Sequence, residues 1–287
     1  MGYWYMETFD DKKKRWKPLK LLVYISLLLA VVVMTAWATA AIYFSNLPTQ
    51  FLRSILSIVF PCIIIGIFWR VHPFGRDFWV FLILFGLVLI WWLLIPPSNN
   101  RQWHPVSEVL CYADINGDDV TIHNIRNFDY RSATDFTPQY YDKTFSLSRL
   151  KTVDLYLIYW GPTLIAHTMM SFGFGEQGYV CISIETRKEV GEEYSSIKGF
   201  FKQYELNYVV ADERDLVRLR THVKDEDVYL YRLKAQPQVV RNVFLDYFKH
   251  INRLTEKPKW YNALTHNCTT TIRGHTLPHT ENRPLDW

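Results

Sequence analysis

Residues 21–44 read LLVYISLLLAVVVMTAWATAAIYF, 24 positions without Asp, Glu, Lys, Arg or His. A bilayer core about 30 Å thick takes about 20 helical residues, and lipid offers no partner to a bare backbone amide, so such a run reads as a membrane-spanning helix. Two more follow: residues 54–69 give 16 uncharged positions and residues 78–97 give 20. The middle run is short, but Arg53 and Arg70 bracket it, and arginine buries its stem while its head reaches the interface. A cleaved signal peptide is the alternative reading of the first run, disfavoured because the run exceeds a usual h-region and has two further runs behind it. The expected organisation is a basic N-terminus (1–20), a three-helix membrane region (21–97) and a separate domain (98–287).

The charges divide at the same place. Of the 32 Lys and Arg and 28 Asp and Glu, 9 basic and 4 acidic residues precede position 98, leaving 23 and 24 beyond it. The basic pI of about 8.7 therefore belongs to the membrane segment, and a nucleic-acid partner loses its electrostatic support. Lys12, Lys13, Lys14, Arg15, Lys17 and Lys20 precede the first run, Arg70 and Arg76 lie between the second and third, and residues 45–50 carry no charge. Positive-inside then places the N-terminus in the cytoplasm and everything after Pro97 across the membrane. Trp91 and Trp92, at the outer end of the third run, read as interfacial anchors.

In the second domain, residues 106–112 and 120–125 read as strands joined through Asn116-Gly117, a hairpin signal. The acidic run 114–119 lacks the spacing and terminal Glu of an EF-hand loop, so it is a turn rather than a calcium site. Residues 153–160, 165–174 and 179–184 alternate and are rich in β-branched and aromatic residues, which predicts three antiparallel strands. Gly173, Gly175 and Gly178 turn between the last two; they match a dinucleotide-binding pattern by letters only, because no helix follows. A short helix is expected over 194–204 and a strand over 228–233. Pro237 then opens a helix with apolar Val240, Val243, Phe244, Tyr247, Phe248 and Ile251 at three- and four-residue spacing.

A last short helix, starting near Thr265 or Asn267, carries Cys268 in its first turn. The helix dipole and unpaired N–H groups favour a thiolate there, the reactive form of cysteine. Its polar surroundings, Tyr261 to Thr270, are unlike those of a packing cysteine. Cys62 lies in a membrane run, and Cys111 and Cys181 are the pair available for a disulfide on an oxidising side. Among nine histidines, His167 is the candidate base, an isolated polar ring in a strand-like stretch; His266, two positions from Cys268, faces elsewhere. Ser183 and Glu185 share one parity on the neighbouring strand and can approach His167 to orient its ring. Cys268, His275 and His279 include an H-x-x-x-H spacing, but no second Cys pair or nearby carboxylate completes four ligands, so neither a metal nor another cofactor is expected. Arg214, Arg218 and Arg220 form a basic stretch that reads as a solvated face or a phosphate or headgroup contact.

Four strings, Ile122 to Arg131, Ala166 to Phe174, Ser183 to Arg187 and Tyr261 to Thr270, together resemble the Lnb N-terminal periplasmic domain family, over roughly residues 103–280. The resemblance implies a link to bacterial lipoprotein N-acyltransferases. It also implies a circularly permuted papain-like (NlpC-type) fold in which Cys268 is the nucleophile and His167 the base, with Ser183 and Glu185 open as the third member. The fold class expected is a membrane-anchored α+β protein: three N-terminal transmembrane helices, then this domain with an antiparallel sheet and a Cys-bearing helix. The leading function is a thiol acyltransferase at the outer leaflet of a bacterial inner membrane. Its partners are a phospholipid acyl donor and a lipoprotein amine acceptor, and N–H groups near Cys268, with Asn267, stabilise the oxyanion. A cysteine amidase or peptidase on cell-wall peptides, and a non-catalytic membrane-anchored scaffold, are the alternatives.

Overall fold

The computed structural model describes residues 7–69, 74–161 and 166–280, with side chains from Pro18 onward. Arg70, the side chains of the lysines before Pro18, and Ile165 at the start of the expected 165–174 strand lie outside what is described. Two compact units divide between Pro96 and Pro97.

The first unit contains α1 (Glu7–Tyr43), α2 (Gln50–Trp69) and α3 (Phe74–Leu94). Each holds a segment long and apolar enough to cross a membrane: Pro18–Tyr43, Gln50–Trp69 and Phe74–Leu94. Most of their apolar side chains face outward, as a lipid-facing surface requires. Ala38 and Ala41 are fully buried, small residues that let helix backbones approach, and Phe81 fills the centre of the contact. Trp92, expected as an interfacial anchor, meets Trp37 edge to face at 5.2 Å, and Trp91 also packs on this cluster.

The second unit is a mixed sheet with helices. Its strands are β1 (Tyr112–Asn116), β2 (Asp119–Arg126), β5 (Tyr140–Ser146), β6 (Thr152–Tyr159), β7 (His167–Gly173), β8 (Tyr179–Arg187), β9 (Glu205–Ala211) and β10 (Asp227–Arg232); a separate two-stranded ribbon pairs β3 (Asp129–Tyr130) with β4 (Phe136–Thr137). The order is β1-β2-β9-β8-β7-β6-β10, with β5 paired to β2. All pairings are antiparallel except β2 with β9, which run parallel through Arg126 and Ala211. The sheet is therefore mixed, not purely antiparallel as the sequence suggested. Gly117 at φ +64° makes the β1–β2 turn, with Asn116 facing Asp119.

Three expectations need correction. Residues 106–111 are not strand, because buried arginines take their carbonyls: Arg187 donates to Ser107 and Glu108, and Arg126 to Val106. The helix expected over 194–204 shrinks to one 3₁₀ turn at Lys198–Phe200, and a wholly buried strand, β9, follows it. Cys111 and Cys181 are both free and buried, and they belong to different core clusters.

The helix α5 (Pro237–Glu256) forms as its periodicity requires, and all six residues of its expected apolar stripe are buried. Phe244 and Tyr247 meet Phe172 of β7 at 5.2 and 5.8 Å, each such burial contributing roughly 1.5–3 kcal/mol. The helix α6 (Cys268–Thr276) packs beside it with Ile272 in the same core. The other sheet face is covered by α4 (Glu213–Arg218), whose Leu216 packs on Tyr156, Met169 and Val209.

Candidate active site

Cys268 is the first residue of α6, and the local sequence explains why the helix begins there. Asn262 accepts hydrogen bonds from the backbone of Leu264 and Thr265 and from the Thr265 hydroxyl, which folds the preceding turn. Asn267 then caps the helix: its side-chain oxygen accepts from the Thr270 N–H at 2.8 Å, and the Thr270 hydroxyl accepts from the Asn267 N–H at 3.0 Å. This reciprocal box satisfies two groups a helix start otherwise leaves bare. The amide of Asn267 donates to the Ala263 carbonyl at 2.8 Å. Asn267 is thus held as the helix cap, with its oxygen and one amide hydrogen committed and a second amide hydrogen beyond these bonds. The first-turn N–H groups of Cys268 and Thr269 are left without a protein acceptor among the described residues, and these are the donors the helix start offers to an anion.

His167 opens β7, where the sheet meets the start of α6. It is 7 % exposed. Its Nε2 lies 2.8 Å from Ser183 Oγ and 3.1 Å from Glu185 Oε1. The Ser183 hydroxyl donates to the same Glu185 oxygen at 2.7 Å, so Nε2 carries the proton and Nδ1 is the nitrogen left for the thiol. Strand parity places these three together: Met169 faces Ser183 across the β7–β8 ladder, and His167 and Glu185 each lie two residues further on along the same face.

Cys268 and His167 lie close enough that each sets the other's ionisation. Burial opposes a charge on Cys268, but the bond and charge of His167, with further bonds from Thr168, outweigh it and bring the thiol down to about 6. Burial likewise opposes a charge on His167, yet the Glu185 carboxylate and the bonds to Cys268 and Glu185 push it up to about 9. Glu185 is held well below the usual carboxylate range, against its own burial, chiefly by the His167 charge. Between those two values the resting state is a thiolate–imidazolium pair, the form in which a cysteine attacks without a prior proton transfer.

Two members of the site escape the sequence reading. Thr168 helps to lower the thiol, and its hydroxyl lies 3.4 Å from that of Thr269. Arg220 donates to Glu185 at 3.2 Å and to Glu226 at 3.2 Å, with its side chain 11 % exposed. It sits in a π turn, Leu219–Val223, that continues α4. A buried pair anchors that helix: Arg126 meets both oxygens of Asp215 at 3.0 and 2.6 Å, and Asp215 also accepts from the Phe128 N–H at 2.7 Å.

The basic stretch 214–220 is therefore not one patch. Arg214 bonds Asn127, Arg218 pairs with Asp129, and Arg220 turns inward. His266 is exposed and bonds Thr265 at 2.9 Å, away from the relay. Cys268 is engaged with His167, so it does not join His275 and His279 in a ligand set. Two exposed apolar side chains belong to the segments that carry the site. Trp160 lies 6.4 Å, ring to ring, from His167, and Leu264, four residues before Cys268, is 68 % exposed.

No curated protein and no solved structure matches the chain. The model of one family matches residues 136–286, a range that includes His167, Ser183, Glu185 and Cys268 and leaves out the string Ile122 to Arg131. By that match over more than half its length, the chain, whose described residues include three helices long and apolar enough to cross a membrane, belongs to the Lnb N-terminal periplasmic domain family.

Proposed function

We propose that the domain is a thiol acyltransferase that takes an acyl chain from a phospholipid and passes it to the terminal amine of a lipoprotein. The observation that carries this reading is the set His167, Glu185 and Ser183 facing a thiol lowered to about 6 at a helix N-terminus. In the first half-reaction the Cys268 thiolate attacks the ester carbonyl. The C–S bond forms, the ester C–O bond breaks, and the His167 imidazolium gives its proton to the departing alkoxide. In the second, the acceptor amine attacks the thioester. The C–N bond forms, the C–S bond breaks, and the amine's proton returns to His167, restoring the ion pair. The free N–H groups of Cys268 and Thr269 receive the developing oxyanion. Ser183 and Glu185 orient the ring, and Arg220 steadies Glu185.

The exposed apolar Trp160 and Leu264 favour an acyl chain over a polar cell-wall peptide. The basic residues before the first span and between the second and third support a cytoplasmic N-terminus and a domain on the outer side of the bacterial inner membrane. A tethered enzyme of this kind reaches its donor without extracting it from the bilayer.

The test is intact-mass measurement of the detergent-solubilised full chain after incubation with phospholipid vesicles. A single acyl adduct, labile to hydroxylamine and absent from Cys268→Ser, is the expected result. An unmodified wild-type protein that also transfers no acyl chain to a lipoprotein overturns the proposal. Cleavage of cell-wall peptides by the same preparation supports the amidase instead.

A further inference from the structure

The spacing H-x-x-x-H at His275 and His279 lacks a carboxylate in sequence, and the fold supplies one. On α5, Asp246 and His250 lie four residues apart and so share a face. That face meets the last turn of α6. Asp246 Oδ2 lies 2.7 Å from His275 Nδ1 and 3.4 Å from His250 Nδ1. One ligand atom from each of the three residues falls within 4.8 Å of the others, and the two imidazole rings meet edge to face at 4.8 Å.

Three further observations bear on what this cluster holds. The second nitrogen of His275, Nε2, is 2.7 Å from the Tyr208 hydroxyl, so the ring is fixed from behind in the way metal-bound histidines are. A cavity of about 220 Å³ is lined by His250, His275 and Tyr208, leaving room for an exchangeable ligand beside the cluster. His279 Nε2 is buried and has no hydrogen-bond partner among the described residues, and His279 lies near enough to influence His275 electrostatically.

We infer that Asp246, His250 and His275 form a binding site for a divalent transition-metal ion of the zinc class, with the fourth position facing the cavity. Two imidazoles and one carboxylate match zinc's preference for nitrogen and oxygen donors at about 2.0–2.2 Å. Zinc ligands in tetrahedral geometry stand about 3.3 Å apart; the 3.4 Å pair already has that spacing, the 2.7 Å pair opens by about half an ångström, the two histidine ligand atoms, within 4.8 Å of each other, close onto the ion, and His250 Nδ1 gives up its 2.9 Å hydrogen bond to the Asp246 carbonyl. The ion replaces the proton shared between Asp246 and His275. It joins α5 to the helix that begins with Cys268, and so ties the nucleophile's helix to the main core from its far end. The inference is independent of the acyl-transfer proposal.

The experiment uses the full-length protein in detergent, stripped with chelator, titrated with Zn²⁺ against a chromophoric chelator and measured for bound metal after desalting. One equivalent of zinc is expected, together with a higher melting temperature. His250 is partly exposed, so His250→Gln keeps the fold; it is expected to lower zinc affinity at least tenfold, as is Asp246→Asn, while the chelator-treated variants melt cooperatively. Stripped wild-type protein that takes up less than a tenth of an equivalent overturns the inference. So does zinc uptake unchanged in both variants, which marks the metal as bound elsewhere.

Discussion

The charge on His167 sets the reactivity of Cys268, and replacing it has a calculable consequence. In His167→Gln the amide keeps a polar contact to Ser183 but carries no charge, and burial, opposed only by the weaker Thr168 contribution, then returns the thiol to its ordinary value of 9.0 instead of about 6. At pH 5.5 the thiolate fraction falls from about one quarter to about 0.0003, a loss of roughly 760-fold. A more basic thiolate is intrinsically more nucleophilic, by roughly 16- to 32-fold over three units at a Brønsted slope of about 0.4–0.5. The net effect on alkylation is thus a loss of about 25- to 50-fold at pH 5.5. At pH 8.5 the wild type is fully ionised and the variant about one quarter so; the same factor makes the variant faster, by about 4- to 8-fold. The two profiles cross between about pH 7.5 and 8. The assay is iodoacetamide labelling from pH 5 to 10, read at the Cys268 peptide by mass, because Cys62, Cys111 and Cys181 are also free thiols. A sign change cannot arise from altered access, which scales all pH values alike. A wild-type midpoint near 9, or superimposable profiles, refutes the ion pair.

Other perturbations test separate parts of the site. Glu185→Gln removes the charge that raises His167, so the imidazolium deprotonates at lower pH and acyl transfer falls roughly 10- to 100-fold; Ser183→Ala, which loses no charge, costs less in the same assay. Asn267→Ala deletes the helix cap and lowers stability by about 1 kcal/mol, seen as a reduced melting temperature. Asp215→Ala leaves Arg126 buried without its partner and costs about 3–5 kcal/mol, checked by denaturant unfolding of the domain signal. A periplasm-dependent reporter fused after residue 100 is active, and a fusion there active only in the cytoplasm overturns the orientation.

How much of this is legible in the sequence depends on the range of the force involved. The apolar runs of the membrane helices and the stripe on α5 are local patterns answered by local burial, and they are visible residue by residue. Parity does almost as well, since a two-residue period brings His167, Ser183 and Glu185 to one face once the hairpin is drawn. The strand β9 fails for the opposite reason. Its residues, Glu205 to Ala211, are all buried, because a strand covered on both faces does not alternate, and the polar Glu205 and Asn207 disguise it further. Nothing nearby announces that Ser98 and Arg101 supply partners for Glu205. The coil at 106–111 fails similarly, since the arginines that take its carbonyls lie 20 to 80 positions away.

Arg220 is partly legible from helix phase. Grouped by sequence with Arg214 and Arg218, it looks like part of a basic face. At about 100° per residue, however, Arg214 and Arg218 fall about 40° apart, whereas Arg220 falls about 240° from Arg214 and only about 40° from Leu216. Leu216 is buried against the sheet, so an arginine four residues later on the same face must follow it inward or interrupt the helix. Both occur. The chain widens into the π turn Leu219–Val223, a distortion that recurs at functional sites, and the guanidinium reaches Glu185 and Glu226. A buried cation is tolerable only when carboxylates meet it, so the position of Arg220 on the wheel already demanded acidic partners inside the domain. Glu185, chosen for its parity beside His167, is one of them. Helix phase and strand parity, two periodicities read from distant segments, therefore converge on a single carboxylate that serves both a base and its counter-ion.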